Sequence, residues 1–136
     1  SRGADEIKNT MARAGGDKAS WRIAKVAATG TIWLRFVGPT RTEEVPDFLK
    51  ALEEMMPEED ANVVFDLRQL EGHNPETKDP IKTWLRENKP RLGTVTVLVP
   101  KAGSILKMVT AVIGLATGIK INIRDDLDEN ASAASP

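Results

Sequence analysis

The sequence predicts an α/β fold in which a mixed sheet of about five strands packs against three to four helices. Three observations lead to this prediction. Strand-like apolar segments alternate along the chain with segments whose apolar residues recur every three to four positions. The first two strand-like segments are separated only by a Thr29-Gly30 turn, which indicates an antiparallel hairpin. The later strands are each preceded by a helix, so they are expected to pair in parallel through right-handed crossovers.

The opening hairpin is predicted from period-two alternation. Trp21 and Ile23 share one face of the first strand, and Ile32, Leu34 and Phe36 share one face of the second. These two apolar faces are expected to point into the core.

The first helix is predicted within residues 39–57. Its apolar residues recur at helical spacing at Val45, Phe48, Leu49, Leu52, Met55 and Met56. Thr40 and Glu43 have the spacing of a capping box, and Pro57 is expected to end the helix.

The following strand, residues 61–70, is nearly continuously apolar at its centre, as expected for a strand covered on both faces. Two cap-proline pairs, Asn74-Pro75 and Asp79-Pro80, predict a two-step start of the second helix, which Pro90 stops. A fourth, β-branched strand is predicted at residues 93–100.

A third helix is predicted from a Ser104 cap to a left-handed Gly118 at its end. The last strand then places Ile119, Ile121 and Ile123 on one face. In domain terms, we expect a flexible N-terminal arm at residues 1–20, the folded domain at 21–128 and a flexible tail at 129–136.

Composition excludes several classes of function. The net charge of −1, from 19 basic and 20 acidic residues, gives no basic excess for nucleic acid or anionic lipid. There is no cysteine, and His73 is the only histidine, so we expect no metal site and no cofactor. No apolar run approaches the roughly 18 residues of a membrane span, and no signal peptide is visible, so a cytoplasmic protein without an integral membrane segment is expected.

Two stretches resemble a known family. "NVVFDLRQL", residues 62–70, resembles the third strand of the STAS domain, a family named for sulphate transporters and bacterial anti-sigma-factor antagonists. "VTAVIGLATGIKINIRDDLDE", residues 109–129, resembles its third helix, last strand and the acidic start of a final helix. Together with the order of elements, the resemblance covers about residues 22–129. It implies a non-enzymatic bacterial signalling module that binds a protein partner, such as an anti-sigma-factor or kinase-like regulator.

The sequence departs from this family at the regulatory loop. STAS antagonists typically carry an Asp-Ser-Ser-Gly run there, in which the partner kinase phosphorylates one serine. The corresponding residues run from Asn74 to Thr77 and include no serine. Thr77 is therefore the one possible phosphosite, or Glu76 supplies a permanent negative charge, and serine phosphoswitching is not expected.

The same loop supplies the candidate partner-binding residues, because ligands of parallel sheets bind outside the carboxyl ends of the strands. They are Asp66, Arg68, His73, Asn74, Glu76 and Thr77. Asp66 and Arg68 could instead be a solvated pair that closes the strand, and His73 could be an exposed loop histidine. No nucleophile–base pair is evident, so no catalytic residue and no enzyme activity are predicted.

The third helix is apolar more than halfway around. Met108, Ala111 and Leu115 form a surplus face, and Ala111 and Gly114 would let a second backbone come close. The helix is either tightly buried, or this face contacts a partner, a second copy in a homodimer or a lipid. We predict that the face meets another chain. The core stripe is then assigned to Val109, Val112 and Ala116.

An alternative function is binding of a lipid or small apolar ligand, since some bacterial domains related to STAS also resemble Sec14-like lipid-transfer proteins. This function requires a cavity beneath the helix of Phe48 or that of Val109. An apolar cavity of roughly 300 Å³ or more would favour it, whereas a filled core would favour the interaction module.

Overall fold

The computed structural model describes residues 13–14 and 20–125. One sheet contains the strands β1 (Arg13–Ala14), β2 (Trp21–Lys25), β3 (Ile32–Gly38), β4 (Ala61–Leu70), β5 (Leu92–Leu98) and β6 (Ile121–Arg124), in that order. The helices are α1 (Val45–Met55), α2 (Lys78–Asn88) and α3 (Ser104–Thr117). Strands β1 to β3 pair antiparallel, and β3 to β6 pair in parallel. The predicted α/β fold is confirmed. Apart from residues 13, 14 and 20, the predicted arm lies outside the described residues, as does the predicted tail.

All three helices pack on the same face of the sheet. Each crossover from β3 to β6 moves one strand in the same direction, and right-handed crossovers of that kind place every helix on one side. The core on this side includes the ring of Phe48, which meets Phe36 edge-on at a centroid distance of 5.0 Å and Trp21 at 6.4 Å. Phe65 and Trp84 are buried there, as predicted.

The opposite face carries a second, smaller apolar cluster. It consists of Val26, Trp33, Val64 and Leu98, each no more than 3% exposed. Neighbouring residues of β4 thus alternate between the two buried faces. This alternation explains why the centre of β4 is nearly continuously apolar. The strand is buried on both faces, as the sequence predicted.

The predicted caps of α1 and α3 are wrong. Glu44, not Glu43, closes the turn before α1, where its carboxylate accepts from the backbone N–H of Arg41 at 3.3 Å and from the N–H of Ser20 at 3.0 Å. Burial opposes ionisation of Glu44, but these hydrogen bonds outweigh it and lower its pKa. Ser104 is the first residue of α3 rather than its cap. Gly118 does take the predicted left-handed conformation, with φ +71°.

Truncating Leu34 to alanine should destabilise the protein by about 2–5 kcal/mol, because its side chain is fully buried in β3 beneath the helices. Urea unfolding followed by circular dichroism measures the loss. Val37→Ala is the matched control in the same strand: Val37 is 50% exposed, and its truncation should cost less than about 1 kcal/mol. Equal losses would show that Leu34 does not lie in the core.

Candidate functional site: an apolar cavity and its rim

A cavity of about 340 Å³ lies between the sheet and the three helices. The side chains of Phe65 and Val97 line it from the sheet, Phe48 from α1, and Val109 and Ile113 from α3. Its inner lining is almost entirely aliphatic and aromatic. Such a surface can hold a hydrocarbon but offers no group for acid–base or nucleophilic chemistry.

Most polar lining residues gather at one edge of the cavity. They come from Thr40 after β3, from residues 71–74 after β4 and from Thr77 and Lys78 at the start of α2, whereas Thr110 of α3, whose hydroxyl donates to the carbonyl of Leu106, is the exception. Glu71, Gly72 and His73 are exposed, whereas Phe48 is fully buried, so the cavity opens at the carboxyl ends of β3 and β4. The loop that the sequence singled out is the rim of this opening.

Asn74 fixes the shape of that rim. Its side-chain oxygen accepts from the N–H of Glu76 at 3.1 Å, which caps the short 3-10 turn Pro75–Thr77 leading into α2. Its amide nitrogen donates to the carbonyl of Thr40 at 3.3 Å and to the hydroxyl of Thr42 at 3.1 Å. The first step of the predicted two-step helix start is confirmed, and Asn74 ties it to the connection between β3 and α1. The predicted cap at Asp79 is wrong, because Asp79 and Pro80 are the second and third residues of α2, and Thr77 precedes its first turn.

Glu76 and Thr77 are both engaged at the rim. The carboxylate of Glu76 accepts from the hydroxyl of Thr42 at 3.2 Å, and the hydroxyl of Thr77 donates to the carbonyl of Asn74 at 2.8 Å. Phosphorylation of Thr77 would therefore have to break a hydrogen bond that closes the turn. His73 stays exposed beside them.

Thr40 is the cavity residue that sequence reasoning missed. Its hydroxyl oxygen is buried and has no hydrogen-bond partner, and the residue lines the cavity. The sequence pattern predicted that Thr40 caps a helix, because Thr40 and Glu43 have the spacing of a capping box. No local pattern distinguishes a capping threonine from one whose hydroxyl is buried without a partner beside a cavity.

Asp66 and Arg68 do not belong to this site. Phe65 and Leu67 line the cavity, so the residues alternating with them in β4 lie on the other face. There Asp66, only 2% exposed, accepts from the Nε of Arg68 at 3.0 Å, the Nε of Arg35 at 3.2 Å and the indole N–H of Trp33 at 3.1 Å. The structure thus separates these two predicted site residues from the loop residues.

These partners keep the carboxyl group of Asp66 ionised. Burial favours the neutral acid, but the hydrogen bonds and positive charge of Arg68 and the indole of Trp33 outweigh it, so the pKa of Asp66 lies below its ordinary value. A carboxylate held in this way anchors two guanidinium groups on the face of the sheet opposite α1, α2 and α3.

The outer face of α3 is exposed, as the partner-binding hypothesis requires. Met108 is 62% and Leu115 is 86% exposed, and Ala111 is exposed between them. The predicted core stripe is wrong in two positions, since Val112 and Ala116 are also exposed.

The buried side of α3 instead carries two threonines. The hydroxyl of Thr110 donates to the carbonyl of Leu106 at 2.7 Å, and that of Thr117 donates to the carbonyl of Ile113 at 2.8 Å. Because each hydroxyl is satisfied one turn back in its own helix, a threonine can face the core at little cost. This bonding explains why the helix is rotated relative to the prediction.

Among residues 13–14 and 20–125, no cluster of three or more histidine and acidic side chains could hold a metal, and no helix has the length and apolarity to cross a bilayer. Comparisons with protein-family models, curated proteins and solved structures found no match. The resemblance to STAS domains therefore stays a prediction.

Replacing Asp66 with asparagine should lower stability at neutral pH by about 3 kcal/mol, because two arginines lose a buried anionic partner. In the wild type, the contribution of ionised Asp66 is complete above the ordinary carboxyl pKa of about 4 and is lost as pH falls through the lower folded pKa. The variant should consequently show a flatter fall of unfolding free energy as the pH is lowered below about 5.

Denaturant unfolding at a series of pH values makes this measurement. Glu59→Gln, at an exposed position, is the control and should change the unfolding free energy by less than about 0.5 kcal/mol. Parallel pH profiles for wild type and Asp66→Asn would contradict the role assigned to Asp66.

Proposed function

We propose that this chain is a non-enzymatic binding domain for a small apolar ligand, of which a lipid acyl chain is the simplest chemical type. The observation that supports the proposal is the cavity of about 340 Å³ beneath α1 and α3. Its volume falls within the range of small-molecule pockets, roughly 300–1,000 Å³. It also exceeds the roughly 300 Å³ above which ligand binding is favoured over the interaction module with a filled core.

The energetics of the cavity support the same proposal. Protein interiors are normally close-packed. The cavity opens at its rim, so its apolar lining stays in contact with solvent when no ligand is bound. A hydrocarbon that fills the cavity would remove this lining from water, and each Å² of apolar surface buried in this way contributes roughly 25 cal/mol.

The distribution of polar groups indicates an amphiphilic ligand. Most of the cavity lining is apolar, whereas Thr40, Glu71 and Lys78 lie at the rim. A hydrocarbon tail would occupy the interior, and a polar head would meet the rim residues. The hydroxyl of Thr40 is buried without a partner, which costs about 1–3 kcal/mol, so a ligand head that draws this hydroxyl into the cavity and bonds to it would gain affinity.

A second candidate is the protein-partner module that the STAS resemblance implies. Glu71, His73 and Glu76 are exposed on a loop that Asn74 holds in one conformation, and a preformed polar loop suits recognition by another protein. A homodimer or a kinase-like regulator would then use the rim without using the cavity. The two candidates differ in whether changes to the cavity lining alter binding.

Filling the cavity with Val109→Trp should weaken binding of a fluorescent fatty acid at least about tenfold, because the indole would occupy the space of the ligand tail. Val112→Trp is the matched control, since it makes the same change on the exposed side of the same helix. Fluorescence titration gives the affinities, and circular dichroism checks the fold. Equal affinities of the two variants, or no binding by the wild type, would contradict the proposal.

Thr40→Val should stabilise the ligand-free protein by up to about 1–2 kcal/mol, because it removes a buried hydroxyl that has no partner. The same change should weaken binding of the fatty acid, whose head loses a hydrogen bond. Thermal unfolding and titration test the two effects separately. A destabilised variant would show that the Thr40 hydroxyl is satisfied in the ligand-free protein.

A STAS-type kinase should leave the rim unmodified, because it contains no serine and the Thr77 hydroxyl is engaged in its turn. Incubation with the kinase followed by phosphosite mapping is the measurement, with Thr77→Val as the control. Stoichiometric phosphate on Thr77 would show that the switch survives on a threonine.

A further inference from the structure

The outer face of α3 is a continuous apolar stripe. Ile105, Met108, Val112 and Leu115 follow one another at spacings of three, four and three, and they are 58%, 62%, 49% and 86% exposed. Of the five large apolar side chains described as exposed, these four lie on this one face. Scattered exposed apolar residues need no explanation, but a contiguous stripe marks a contact surface.

The stripe lies within a basic segment of the chain that acidic residues flank in sequence. Residues 88–124 contain six basic residues and no acidic one, whereas Glu87 precedes them and Asp125, Asp126, Asp128 and Glu129 follow. Lys101 and Lys120 are exposed beyond the two ends of α3, and Lys107 lies on its flank. From α2, Arg86 reaches the C-terminal turn, where it donates to the carbonyl of Ala116 at 3.2 Å. Positive charge therefore borders the stripe at both ends.

We propose that this face of α3 docks reversibly on the surface of an anionic lipid bilayer. The four large apolar side chains would enter the boundary between headgroups and acyl chains, as the apolar face of an interfacial helix does. Lys101, Lys107 and Lys120 would meet anionic headgroups. Each basic residue near such a surface contributes about 1 kcal/mol, which is roughly a fivefold gain in affinity.

A second copy of the chain fits this face less well. A 14-residue helix presents a strip about 21 Å long and about 10 Å wide. That strip is much smaller than the roughly 800 Å² per partner of a standard protein interface. Because both ends of the stripe are basic, parallel and antiparallel pairing would each bring lysines of the two copies together. A membrane surface needs no matching shape and supplies the opposite charge.

The same helix separates the docking face from the cavity. Leu106, Val109 and Ile113 line the cavity from the inner side of α3, while Met108 and Leu115 point outward. This connection rests on the proposed function, since an acyl-chain ligand would come from the surface on which α3 docks. The docking itself rests only on the stripe and its charges.

Co-sedimentation with vesicles of phosphatidylcholine, with and without phosphatidylserine, tests the proposal. The wild-type chain should pellet with vesicles that contain phosphatidylserine and should be released by added salt. Leu115→Glu should abolish pelleting, because it places a charge at the most exposed apolar position. Lys101→Glu combined with Lys120→Glu should weaken binding at least about 25-fold. Val37→Glu, at a 50% exposed position in β3, is the control and should bind like the wild type.

Each remaining outcome of these experiments either supports or overturns docking of α3 on a membrane. A wild-type chain that stays in the supernatant overturns the proposal, as does equal loss of binding in Val37→Glu. If light scattering shows an oligomer that Leu115→Glu or Ala111→Glu dissociates, then a second copy covers the stripe. Met108→Glu repeats the test at another exposed position should Leu115→Glu alter the circular dichroism spectrum. Val109→Trp should still pellet, so failure of ligand binding and failure of docking are distinguishable.

Discussion

The arrangement of the whole domain depends on one constraint, the right-handedness of crossovers between parallel strands. Because β3 to β6 lie in sequential order, that constraint places α1, α2 and α3 on one face of the sheet. Parallel pairing of β3 with β4 brings their carboxyl ends to one edge, where the loops that follow them meet. Asn74 joins those loops through Thr40 and Thr42, and the cavity opens between them. The position of the candidate site thus follows from topology before any particular side chain is considered.

The same constraint leaves the other face of the sheet without a helix among residues 13–14 and 20–125. Its centre is nevertheless buried, and it contains a carboxylate, that of Asp66. An isolated buried carboxylate would be costly, but the two guanidinium groups and one indole N–H around Asp66 keep it ionised. Arg35 and Asp66 are also register partners across β3 and β4. We therefore attribute to this cluster the pairing of two central strands rather than the binding of a partner.

The order of elements could be predicted from sequence because periodicity, turn residues and helix ends are local properties. Gly118 is an example of a helix end, and the alternating face of Ile32, Leu34 and Phe36 is an example of periodicity. Strict alternation in β4 could also have separated Asp66 from the loop, since Phe65 faces the helices. The cavity could not be predicted, because its volume depends on gaps between elements that are distant in sequence. The orientation of α3 was misjudged because its threonines bond to their own helix, which makes them compatible with the core.

The small residues of α3 bear directly on what covers its outer face. Glycine and alanine on a helix permit close approach of a second backbone, which would favour pairing of two copies. Gly114, however, is turned toward β6: a Cβ atom there would lie 3.2 Å from the carbonyl oxygen of Ile119. Its small size is thus explained by packing within the chain, and Ala111 alone does not make a groove for another helix. The outward face retains four large apolar side chains with lysines around them, a composition that suits a fluid anionic surface better than an interlocking protein interface.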